Sequence, residues 1–222
     1  MRPKINFVIF TLAIGIVSFG FQCGKEDLIP VPENRFVEKL SLFPYKKTYQ
    51  RGDTIWLQFQ TASKTLFESL TNRVIPTDST FMALNFLYQK RYPIPFNATV
   101  DTFCYTTTSF GLNQGLKIPP ASRSDNFLTY FSDCNSNFYF FKVGFIPKTT
   151  GIYSLNWPAG ELVDCPNKVL KSTYSIVNFR FDLADCNKDV YVSIPPASRG
   201  ESVKGYTEKE IDNKKVFVFK VE

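Results

Sequence analysis

The sequence predicts an all-β protein, an antiparallel β-sandwich with few and short helices. Three observations carry that expectation. Apolar and polar side chains alternate with a period of two along most of the chain, which sends one set to each face of an extended strand. Aromatic residues make up 16% of the 222 residues and include 23 Phe, ample for a core. Prolines punctuate the alternating runs, and proline, lacking a backbone N–H, belongs at strand ends and sheet edges.

In chain order the first strand is expected at Lys39–Phe43. In the second, Ile55, Leu57 and Phe59 alternate with Trp56, Gln58 and Gln60. Met82, Leu84, Phe86 and Tyr88 share one face of the third, and Val100–Thr106 and Phe127–Phe131 follow. "FYFFKVGF" places Tyr139, Phe141, Val143 and Phe145 together, opposite Phe138, Phe140, Lys142 and Gly144. Ile152–Trp157 comes next, then Val177, Phe179, Phe181 and Leu183 against Asn178, Arg180 and Asp182. Val190–Ile194 and a last strand through Phe217, Phe219 and Val221 complete ten. Ten strands with so little helix fit a sandwich or barrel. Helical signals are confined to Thr65–Glu68 and Thr207–Glu210, each with the Thr-x-x-Glu spacing of a capping box, and predict a turn or two in connections. The hexapeptide Ile-Pro-Pro-Ala-Ser-Arg occurs at Ile118 and again at Ile194. At that offset no cysteine meets a cysteine, so it reads as two similar strand exits rather than a duplication.

Residues 1–22 begin with Arg2 and Lys4, continue as an apolar run from Ile5 to Phe21, and predict an export signal. The run has 17 residues, near the lower limit of a membrane-crossing helix, so a retained anchor is the alternative. Cys23 follows at once, and residues 23–34 read as a flexible tether, leaving 35–222 as one β-sandwich domain. Removing Arg2 and Lys4 leaves 24 of the 26 basic residues against 20 acidic ones. So small an excess, without a basic run, gives no nucleic-acid footprint.

The arrangement around Cys23 resembles that of bacterial lipoproteins, and "CGKED" is similar to the signal that sends lipoproteins of the Bacteroidota to the outer face of the outer membrane, with Lys25, Glu26 and Asp27 in its charged positions. Gly20 stands where Leu is usual in such lipoproteins and Gln22 where a small residue is usual, and Ser18-Phe19-Gly20 offers a competing cleavage after Gly20. The resemblance implies acylation of Cys23 and a membrane partner. Cysteine arithmetic agrees, since five cysteines less Cys23 leave an even four: Cys104, Cys134, Cys165 and Cys186. Of three connectivities the expectation is the sequential one, Cys104 with Cys134 and Cys165 with Cys186, each closing a compact excursion in an oxidising compartment.

Two further stretches resemble immunoglobulin-like domains. "GDTIWLQF" is similar to strand B, with Phe59 at the cysteine position; "TTGIYSLNW" is similar to the tyrosine corner opening strand F, with Thr149, Gly151, Tyr153 and Leu155 in its positions. The 96 residues between Phe59 and Leu155 exceed a bare domain and imply insertions. Arg51-Gly52-Asp53 has the composition of an adhesive tripeptide but reads as the turn entering a strand.

The chain has no histidine, which removes Ser-His-Asp and Cys-His catalysis. No Cys-x-x-Cys, glycine-rich phosphate loop or Asp-x-Asp-x-Asp loop appears, so no cofactor or metal is expected. The acid pairs Glu26-Asp27 and Glu208 with Glu210 read as solvated charge rather than a glycosidase pair. Three Asp-Cys turns, at Cys134, Cys165 and Cys186, leave a calcium site conceivable. Trp56, Trp157 and Tyr88–Tyr92 are candidates for stacking on sugars, and Asp78-Ser79-Thr80 resembles a Bacteroidota O-glycosylation tripeptide. The expected role is a non-catalytic binding or interaction module with a glycan or envelope protein as partner; the alternatives are a carboxylate-dependent glycan-active enzyme or a structural envelope subunit.

Overall fold

The computed structural model describes residues 34–93, 100–108, 111–112, 116–118, 127–132, 134–165, 175–199 and 205–222. Cys23, Lys25, Glu26 and Asp27 lie outside them, as do the proline pair and arginine of the first Ile-Pro-Pro-Ala-Ser-Arg copy.

The domain is an all-β sandwich. The first sheet is built on the two longest strands, β6 (Thr80–Tyr92) and β12 (Gly151–Asp164), paired antiparallel, with β10 (Phe127–Phe131) on the other side of β6. The far edge of β12 is divided: residues 151–156 pair with β14 (Val216–Val221) and residues 160–162 with β13 (Ser175–Phe181). The second sheet contains β3 (Ile55–Gln60), β11 (Phe140–Pro147), β7 (Val100–Thr108) and β9 (Leu116–Ile118), with β8 (Gly111–Leu112) folded onto β7. β1 (Asn34–Phe43) belongs to both. Its first seven residues lie parallel to β13, and Ser41–Phe43 lie antiparallel to β3. A strand that changes sheets closes one side of the sandwich without leaving an edge. Among the described residues the ladders are antiparallel with two exceptions, β1 on β13 and β2 (Thr48–Tyr49) on β14.

Alternation sets the core. Leu57, Phe59, Phe141, Val143 and Phe145 from the second sheet meet Leu84, Tyr88, Leu155, Val177 and Phe179 from the first in one buried cluster. The sheets touch through edge-to-face rings, Phe59 on Phe179 at 5.0 Å and Tyr88 near Phe145 at 5.9 Å between centroids. The residue at the cysteine position of the strand B pattern therefore packs on an aromatic ring. β14 departs from simple alternation, since Val216, Phe217, Val218 and Phe219 are all buried. Two short helices, α1 (Lys188–Val192) and α2 (Tyr206–Asp212), pack on it.

Three local expectations are corrected. Thr65–Glu68 is a strand, β4, forming a hairpin with β5 (Arg73–Pro76) and touching β1 at Phe36. Val190–Ile194 is not a strand: α1 occupies its start, and Pro195-Pro196 leads into a short 3₁₀ turn, so the second proline pair follows a helix rather than a strand. β12 passes Trp157 and runs on to Asp164, because the missing N–H of Pro158 falls at a register shift between Asn156 and Ala159. The helix expected at Thr207–Glu210 is present as α2, but Gly205 is its N-cap.

The tyrosine corner is formed. Tyr153, 1% exposed, donates its hydroxyl hydrogen bond to the carbonyl of Thr149 at 2.9 Å and also meets the Thr149 hydroxyl. Its ring stacks on Phe219. Tyr153→Phe keeps the ring and loses those bonds, leaving a partly buried carbonyl short of a donor; urea unfolding is expected to show a loss of about 1–2 kcal/mol.

Candidate functional site

Strand ends converge at the start of β6. β10 leaves it after Phe131, opposite Ala83, and β12 ends at Asp164, opposite Thr80. The residues just beyond, Cys134 and Cys165, are joined in a disulfide with Cα atoms 5.7 Å apart. This overturns the sequential pairing. Cys104 sits by its backbone on β7 in the second sheet, opposite Val143, with its side chain outside the described atoms. Cys186 is a buried free thiol in the β13–α1 connection. Compact excursions along the sequence do not decide pairing; the two strands flanking β6 do.

Beside the disulfide lies Lys64, 1% exposed. Its ammonium donates to the carbonyls of Thr80 (2.9 Å) and Cys134 (2.8 Å) and lies 5.7 Å from the Tyr139 ring centroid. The Tyr139 hydroxyl bonds the Thr77 and Thr80 hydroxyls, and Thr77 in turn donates to the Lys64 carbonyl. A buried charge satisfied in this way ties the loop before β4, the start of β6 and the disulfide together. The hydroxyl of Thr80, in the glycosylation-like tripeptide, is thereby engaged, and Asp78 is exposed.

The Asp185-Cys186-Asn187 turn is a second buried polar node. Asn187 is fully buried in the left-handed conformation at φ 60°. Its amide donates to the carbonyls of Val218 (2.7 Å) and Lys46 (3.3 Å), while its side-chain oxygen accepts from the Tyr45 hydroxyl (2.9 Å). Burial, with a smaller contribution from the Asp185 charge, pushes the Cys186 thiol up to about 12. The thiolate is the reactive form. In native protein at mildly alkaline pH, Cys186 is expected to resist iodoacetamide, and to react fully once urea unfolds the chain, as read by peptide mapping.

The tripeptide Arg51-Gly52-Asp53 is built into the frame. Arg51 N–H donates to the Glu222 carbonyl, extending the ladder of β2 on β14, and Gly52 N–H donates to the carbonyl of Pro147 at the end of β11. Gly52 has φ 89°, the turn expected of it. The Asp53 carboxylate accepts from Gln50 N–H at 3.1 Å and pairs with Lys46 at 3.4 Å. A shallow hollow of about 470 Å³ beside it is lined by Gln50, Arg51, Gly52, Lys148 and Glu222. It mixes both charges and holds no pair of facing carboxylates.

Among the described residues no group of three or more acidic, histidine or cysteine side chains is arranged to hold a metal. Glu208 pairs with Arg199 at 2.9 Å and Glu210 with Lys215 at 3.4 Å, both on α2. Glu68, the deeply buried carboxylate among the described residues at 2% exposure, closes the β4–β5 turn. Burial raises its pKa, but the Leu70 N–H, the hydroxyl and N–H of Thr71, and the Arg35 N–H together outweigh that and hold it at about 2. Depressed from 4.5, it stabilises the turn fully above the ordinary carboxylate range and loses that contribution as pH falls towards 2. Amide exchange at Leu70 and Thr71 is expected to lose protection across that window.

The stacking candidates separate cleanly. Tyr88 is in the core, and the Trp157 side chain lies outside the described atoms. Trp56 points outward from the second sheet. The Lys142 ammonium stands 4.8 Å from a Trp56 ring centroid and 5.5 Å from that of Phe43, which is 38% exposed. The register Phe43–Trp56–Gly144 runs across three strands, and Gly144 provides the floor: a Cβ there would stand 2.8 Å from the Trp56 ring. A cation over two rings is a cation–π cluster that joins β1, β3 and β11. Sequence reading named Trp56 but missed Lys142 and Phe43, whose relation exists only through strand register. No family model matches the chain, and no curated protein matches it.

Proposed function

We propose that this chain is an exported lipoprotein, acylated at Cys23 and held at the outer-membrane surface, whose sandwich is a non-catalytic module binding a glycan or an envelope protein. The observation that carries the proposal is Cys23-Gly24-Lys25-Glu26-Asp27 placed directly after an apolar, cation-led segment. A disulfide between Cys134 and Cys165 fits an oxidising compartment. The Phe43–Trp56–Lys142 face supplies an aromatic and cationic surface suited to sugar rings and their acidic substituents.

A glycan panel tests the module. Retention of polysaccharide without turnover, weakened about tenfold or more by Trp56→Ala, is the expected result. Turnover abolished by a single carboxylate substitution would establish an enzyme instead.

A further inference from the structure

The β4–β5 hairpin carries an apolar surface that the fold does not use. Phe67 and Val74 are directly opposed across it and are 40% and 64% exposed; Leu70, in the turn, is 63% exposed. Alternation explains the arrangement: Leu66 and Glu68 face inward and are buried, so Phe67 faces out. The turn is firmly shaped nonetheless. Glu68 closes it from inside, and Ser69 donates through both its N–H and its hydroxyl to the Arg35 carbonyl.

Those bonds fix where the hairpin lies. Arg35 and Phe36 belong to the first residues of β1, so the hairpin turn stands at the point where the chain enters the domain. Asn34 follows Cys23 by 11 positions. A tether of that length spans about 18 Å if flexible and about 40 Å at full extension. Arg35 is exposed at the turn and complements lipid phosphate, whereas Arg73 stands opposite the inward-facing Glu68, and the Glu38 carboxylate accepts from Phe67 N–H at 2.9 Å.

We propose that the hairpin is a membrane-contacting element: Phe67, Leu70 and Val74 enter the headgroup and upper acyl region of the bilayer, with Arg35 at the level of the phosphates. The inference rests on the lipoprotein reading for its source of proximity, and it orients the domain. The β1 entry faces the bilayer. An apolar contact supplements a lipid chain, since stable anchoring commonly takes two signals.

The test uses the full chain extracted from its native membrane and reconstituted into vesicles of phosphatidylethanolamine and phosphatidylglycerol containing a photoactivatable phospholipid. After illumination, adducts are expected on the peptide spanning Phe67 to Val74, reduced several-fold in Leu70→Glu and Val74→Glu. Both positions are exposed, and persistent protection of Cys186 from alkylation would show that the variants fold. An acyl mass on Cys23 with adducts elsewhere or absent overturns the hairpin contact and leaves the lipoprotein reading standing. Without acyl mass on Cys23 the lipoprotein reading fails, while hairpin adducts would still support the contact and their absence would overturn it. Chemical cross-links joining two hairpins in place of lipid adducts would assign the patch to a second copy of the chain, and overturn it equally.

Discussion

Gly151→Ala is expected to destabilise the domain by at least about 3 kcal/mol, lowering the melting temperature by roughly 10 °C. Gly151 opens β12 at φ 143°, a conformation that a Cβ strains. An added Cβ would collide with the Tyr92 carbonyl oxygen and stand 2.7 Å from Cε of Lys90. The first obstacle is backbone of a paired strand, which cannot step aside without moving β6. Gly52 is the internal comparison. It also has positive φ, at 89°, but nothing lies within 4 Å of a Cβ built there. Gly52→Ala should therefore cost only the conformational strain, about 1 kcal/mol. Equal losses in the two variants, measured by urea unfolding, would show that the close approach of β12 to β6 carries no energy.

Removing the Cys134–Cys165 bridge with paired serine substitutions is expected to cost about 3–4 kcal/mol, the loop-closure entropy for a separation of 31 residues. The effect should also be local. Cys134 supplies a carbonyl to the buried Lys64 ammonium, and Cys165 N–H donates to the Ser79 carbonyl, so freeing the bridge loosens both at once. Hydrogen exchange is expected to rise at Ser79–Met82 and Ser132–Cys134 before the rest of the first sheet. Substituting Cys186 with Ser, by contrast, should leave those amides unchanged. Its thiol is in the β13–α1 connection and makes no bridge.

The parts of the fold set by local rules were legible in sequence. Period-two alternation located β3, β6, β11, β13 and β14, and Thr149-x-Gly151-x-Tyr153 identified a tyrosine corner whose hydroxyl reaches the expected backbone carbonyl. What failed depended on partners distant in sequence. Thr65-x-x-Glu68 has capping spacing, and Glu68 does cap backbone N–H groups, but those of a hairpin turn and of Arg35 across the sheet. Val190–Ile194 has strand composition, yet Asn187 in the left-handed region turns the chain just before it into α1. Disulfide pairing followed strand order rather than sequence order. The Trp56 surface was half visible, because the aromatic can be read from a strand's outward phase but the lysine two registers away cannot.

Intact mass and a non-reducing peptide map of the chain purified from its own envelope test the central claim, a proposed lipid-held frame whose strand ends at β10 and β12 are bridged by Cys134 and Cys165. The predicted result is an N-terminus at Cys23 carrying acyl mass, with the Cys134 and Cys165 peptides linked and Cys186 free. A chain beginning at Met1 with every thiol free would contradict both halves of that claim together.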